Sequence, residues 1–123
     1  MTMNHPISQF EPILTWDDLR FKPEGHYYDR KSARLAPKDL ARHMSALANA
    51  DGGVIALGIE DAGEVTGLEM CAEAENKFRL APTEFLEYVP EYTLEILPYL
   101  HEAKGYLSVM LVHMTEFSAI SIV

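Results

Sequence analysis

Apolar residues at Leu40, Met44 and Leu47 repeat at i, i+4 and i+7, and the stripe stops where the next step falls on Asp51. That period predicts a helix. Pro37 suits its first position, where a missing N–H would have no partner anyway. Ala41, Ala46, Ala48 and Ala50 add helix propensity and a thin profile for close packing. Asn49, Gly52 and Gly53 tolerate positive φ and close the C-terminal end. The pattern then changes period. Val54 to Ile59 is β-branched, apolar and bounded by glycines, which predicts a buried strand. Asp61-Ala62-Gly63 is a turn signal, and Val65 to Leu68 is short enough to be the return strand of a hairpin.

The flanks follow the same logic. Residues 1–15, with Pro6 and Pro12, carry no period and read as an N-terminal arm. Thr15 ahead of Trp16, Asp17 and Asp18 signals a capped helix start. Pro23-Glu24-Gly25 is a break, and Tyr27 and Tyr28 favour a strand through Lys31. Beyond the central unit, Cys71 to Leu80 suits a helix. Ala81-Pro82-Thr83 is expected to break it, with Thr83 capping a second short helix that ends before Pro90. Tyr92 to Leu97 alternates as a strand with one buried face. Lys104-Gly105 tips a turn, and Tyr106 to Met114 is an apolar strand. The expected fold is α+β: a mixed sheet with a central helix followed by a β-hairpin, short helices and a C-terminal hairpin. The domain is expected to span 16–123. Its end in Ile120 to Val123, apolar to the last residue, predicts truncation there, with an uncovered edge through which copies associate as a homo-oligomer.

Composition narrows the function. The chain has 123 residues and one cysteine, Cys71, so no disulfide can close within it and a cytoplasmic setting is expected. No apolar run is long enough for a membrane span. No Walker or dinucleotide glycine motif occurs, so nucleotide hydrolysis has no support. The net charge of −9 alone argues against nucleic acid, but it hides a segregation. From Arg20 to Arg42 lie seven of the ten Lys and Arg residues against three acids, a balance of +4 that leaves −13 for the rest. Arg30, Lys31, Arg34, Lys38 and Arg42 are therefore candidates for contact with a DNA or RNA backbone, with Tyr27 or Tyr28 as a stacking surface. The same segment also reads as a solvated face paired with the acidic body.

The run Ser45, Ala46, Ala48, Asn49, Gly52, Gly53, Gly58, Asp61, Gly63, Gly67 and Leu68 resembles the signature of the Schlafen AlbA-type domain family. Glu24 and Asp29-Arg30-Lys31 stand where that family carries a glutamate followed by Glu-Phe-Lys. The resemblance covers about Trp16 to Val112, and it is specific in the central run and weaker upstream. It implies a DNA-binding domain of the kind found in bacterial transcriptional regulators, RecG-related helicase-like proteins and divergent AAA-type ATP-binding proteins. In the Schlafen branch a similar core cleaves structured RNA. On that analogy Glu24, Asp29, Lys31 and Asp61 are the candidate catalytic set, with Mg²⁺ or Mn²⁺ as the cofactor of the nuclease alternative alone. Glu24 also reads as a turn residue, and Asp29 with Lys31 as a same-face strand pair. Asn49, Gly52, Gly53, Gly58, Gly63 and Gly67 read as structural. A third alternative is an interaction module without nucleic-acid contact. His26 and His43 lie too far apart in sequence, without a third ligand, to predict a metal site.

Overall fold

A computed structural model describes residues 6–9 and 14–115. In chain order they form α1 (Trp16–Phe21), β1 (Tyr28–Lys31), α2 (Pro37–Asn49), β2 (Gly53–Leu57), a 3₁₀ turn (Leu68–Met70), α3 (Ala74–Phe85), β3 (Tyr92–His101) and β4 (Gly105–Met114). The strands make one mixed sheet in the order β1-β2-β4-β3. β1 runs parallel to β2 with Tyr28 opposite Val54, and β4 is antiparallel to both of its neighbours. The fold is α+β, and β1–α2–β2 is its parallel crossover.

Each local signal has a visible cause. The Thr15 hydroxyl accepts the N–H of Asp18 at 3.1 Å, and the Asp18 carboxylate accepts the N–H of Thr15 at 3.0 Å. This reciprocal pair starts α1. α2 begins at Pro37 and buries Leu40, Met44 and Ala48 against the sheet, with Leu47 at the margin. β2 is central, so both of its faces are covered and its apolar run is unbroken.

The two faces carry separate cores. Ile55, Leu57, Met110 and Val112 meet α2 and Phe78 of α3. Val54, Ala56, Val109 and Leu111 meet Trp16 and Leu19 of α1. Trp16 packs edge-on against Tyr99 with ring centres 4.9 Å apart. β3 therefore has apolar contacts on both faces, Leu94 and Ile96 on one and Leu97 and Tyr99 on the other, where alternation had suggested a single buried face.

Four expectations need correction. Val65–Leu68 is not a return strand, because both edges of β2 are taken by β1 and β4. Only an Ile59–Val65 bridge forms, and the Gly58 carbonyl accepts the N–H groups of Thr66 and Gly67 at 3.0 and 2.9 Å. The helix does not break at Pro82. Proline costs α3 the one bond its N–H would have made to the carbonyl four residues back, and its burial with Phe78 and Ala81 offsets that loss. Thr83 caps nothing; its hydroxyl donates to the Leu80 carbonyl at 3.0 Å. β3 also runs on through Pro98, which an outer strand tolerates. The apolar residues Ile120 to Val123 lie outside the described residues.

Candidate nucleic-acid interface

β1 is an outer strand, and alternation sends its side chains to opposite faces. Tyr28 and Arg30 enter the α1 side. Arg30 is only 5% exposed. Its Nε donates to the Leu19 carbonyl at 2.9 Å, its Nη1 to the Asp61 carbonyl at 3.4 Å, and its Nη2 to the Lys22 carbonyl. The Tyr28 hydroxyl donates to the same Leu19 carbonyl, and burial raises its pKa above the ordinary tyrosine value. Arg30 thus ties the end of α1 and the turn after β2 to the strand.

Asp29 and Lys31 point the other way, toward α2. Lys31 Nζ lies 3.7 Å from the Asp29 carboxylate, and His43 Nδ1 of α2 lies 4.0 Å from the same oxygen. Glu24 closes the cluster. Its carboxylate accepts the Arg30 N–H at 2.9 Å and shares a hydrogen bond with Asp29. That shared bond holds the Glu24 pKa below its ordinary value, helped by the Arg30 N–H and the Lys31 charge. Burial first, and then Glu24, push Asp29 up to about 6, outweighing the attraction of Lys31. Burial and the Lys31 charge lower His43. On the acid side of neutrality Asp29 therefore takes up a proton first, while Glu24 stays ionised.

Beside this cluster stands a basic row. Arg34, in the loop ahead of α2, and Lys38 and Arg42 on α2 are all exposed, at spacings of four. Arg42 lies 3.5 Å from Asp39, a solvent-exposed pair of small worth. Lys22 is exposed as well. Arg20 is partly buried, with its Nε on the Gly63 carbonyl at 2.8 Å and its guanidinium over Phe21 at 4.7 Å. Arg34, Lys38 and Arg42 therefore stay exposed on α2 and the loop before it, whereas Arg30 is buried and Arg20 half-buried.

A family model described as Schlafen, AlbA_2 matches residues 21–121. The chain belongs to the Schlafen AlbA_2 family. No curated protein matches it. Membership fits a nucleic-acid-binding domain. The matched span takes in the whole sheet, α2 and the basic row.

The signature glycines of this Schlafen AlbA_2 domain do conformational work. A Cβ on Gly53, at φ +150°, would stand 2.7 Å from the Tyr27 carbonyl oxygen. One on Gly63 would strike the Phe21 ring and the Arg20 carbonyl, at 2.6 and 2.7 Å. Gly58 and Gly67 meet around the excursion after β2, and Gly52 donates its N–H to the Leu47 carbonyl at 2.9 Å. Asn49 is exposed at the end of α2, and the bonds closing that turn are main-chain ones.

The four candidate catalytic residues divide. Glu24, Asp29 and Lys31 come together. Asp61 is exposed, and its carbonyl is what meets Arg30. Among the described residues no three His, Cys, Asp or Glu side chains form a group that could hold a metal ion. What comes together is the carboxyl pair of Glu24 and Asp29 with Lys31, without Asp61 as a third carboxylate. His43 is the neighbour that sequence did not pair with Asp29; only the packing of α2 on β1 brings them together. Among the described residues no helix is long and apolar enough to cross a membrane.

Proposed function

We propose that this domain contacts the phosphate backbone of DNA or RNA through Arg34, Lys38 and Arg42, with Lys31 alongside. The observation that carries this reading is the exposure of Lys38 and Arg42 one turn apart on α2, with Arg34 exposed in the loop that leads into it, on an otherwise acidic chain. Counterion release supplies the affinity, and the −13 body orients the approach by repelling phosphates elsewhere. Arg30 belongs to the framework and is left out of the contact set. The setting we propose is a larger cytoplasmic bacterial protein, a transcriptional regulator or helicase-related protein, in which this domain supplies a modest, sequence-independent grip. Self-association of that parent would multiply several weak grips into a stable one.

Fluorescence anisotropy with labelled DNA and RNA at low salt tests the proposal. Replacing Arg34, Lys38 and Arg42 together by Ala should weaken binding far more than replacing Lys77, Arg79 and Lys104. Equal losses, or no binding by the parent, would refute it.

A further inference from the structure

A groove of about 250 Å³ opens between α2 and the start of β1. His26, Asp29 and His43 line it among Ala46, Leu47 and Ala50. Its walls are thus small and apolar, with few polar groups converging on them, the usual composition of a specific small site. It is below the ~300–1,000 Å³ of pockets for drug-sized ligands and suits a single planar base. Asp29 is the one carboxylate lining it.

The charges around the groove sort a nucleotide's parts. Lys31 faces Asp29 from β1, and Arg42 and Asp39 act on His43 from α2. Glu24 lies behind Asp29, and Asp51 at the far end accepts the Tyr27 hydroxyl at 3.4 Å. Phosphates are drawn to the Arg34, Lys38 and Arg42 row and kept out of the groove by Asp29 and Glu24. A neutral base is not repelled. Tyr27 is 57% exposed beside His26, with ring centres 6.2 Å apart, and offers a face for a neighbouring base.

Resting on the backbone contact proposed above, we infer that the groove takes one unstacked guanine of a single-stranded nucleic acid, read by Asp29. An ionised carboxylate only accepts hydrogen bonds. Of the common bases, guanine alone presents two adjacent N–H donors, N1–H and the 2-amino group, on its Watson–Crick edge. In a duplex that edge is taken by cytosine, so only a flipped or single-stranded base can be read.

The test is anisotropy with a labelled oligothymidylate carrying one central guanine, the same strand with hypoxanthine there, and the unsubstituted strand. An oligouridylate series in parallel separates RNA from DNA. Guanine should bind about tenfold tighter than thymine, and hypoxanthine, which lacks the 2-amino group, should lose most of that gain. Asp29→Asn should bring the guanine strand down to the affinity of that variant's own unsubstituted strand. Ala46→Leu, at an exposed helical position, should do the same by filling the groove, and a fold intact by circular dichroism makes either loss interpretable. Equal binding of all three strands by the parent, a preference surviving in both variants, or duplex bound as tightly as single strand would overturn the guanine site and leave the backbone contact standing. No binding of any strand would overturn both.

Discussion

The Glu24 carboxylate accepts the main-chain N–H of Arg30 at 2.9 Å, on the outer edge of β1. One residue along, the Gly25 N–H donates to the Tyr28 carbonyl at 3.0 Å. Together they cover groups that an outer strand otherwise offers to another chain. Glu24 thus has a structural task, and its proton is coupled to that of Asp29.

That coupling predicts a pH signature. Asp29 rises from an ordinary 3.8 to about 6 in the folded chain. Between those values the folded chain holds a proton that the unfolded chain has released, so this contribution to stability falls as pH rises through the window. Above it the penalty is fully present. Glu24, held low, works in the opposite sense: its contribution is lost as pH falls through its lowered folded pKa. Lys31 and His43 also face Asp29 and do not reverse the sign. Asp29→Asn keeps a donor for Glu24 and removes the charge. It should melt above the parent near pH 8, with the difference gone by about pH 4. Thermal melts across that range would show a constant offset if the coupling were absent.

Arg30 should behave as framework. Arg30→Ala removes one of the two donors on the Leu19 carbonyl, the Arg30 donor on the Lys22 carbonyl and a buried guanidinium, a loss of about 2–4 kcal/mol. Urea unfolding should show that loss. Nucleic-acid affinity per folded molecule should change little, whereas Arg42→Ala should do the reverse. A surface role for Arg30 would exchange the two results.

Gly53→Val places a β-branched residue at φ +150° with its Cβ on the Tyr27 carbonyl oxygen. Backbone strain alone costs on the order of 1–3 kcal/mol, from a total of about 5–15. Calorimetry should find Tm lowered by several degrees. A variant melting with the parent would show that the strand tolerates the clash.

Incubation with a structured RNA and Mg²⁺ or Mn²⁺ should give no metal-dependent cleavage by this chain, because Asp61 does not join Glu24 and Asp29 in a group that could hold a metal ion. Cleavage abolished by both Glu24→Ala and Asp29→Ala would establish the nuclease alternative instead.

Much of the fold was legible because its signals are local. The stripe of α2, its proline start and the Thr15 cap lie within a few residues of what they specify. The return strand after β2 was misread because the true partners of β2 are Tyr28–Lys31 and Gly105–Met114, far away in sequence. Pro82 was read as a breaker because propensity ignores its burial. The candidate site was half legible. Charge segregation found the α2 row, and the spacing of Glu24 and Asp29 found the carboxyl pair. The same charge count placed Arg30 on the surface, since nothing in its neighbourhood announces that carbonyls from residues 19, 22 and 61 converge on it. His43 joined Asp29 only through tertiary packing.

The most direct measurement is the salt dependence of single-strand binding by the parent and by the Arg34, Lys38 and Arg42 triple-alanine variant. Three to four phosphate contacts predict a log–log slope of about −2 to −3 for the parent, at about −0.7 per contact. The variant should retain a slope near zero to −1. A parent slope indistinguishable from the variant's, at any affinity, would contradict the claim that Arg34, Lys38 and Arg42 hold the phosphates.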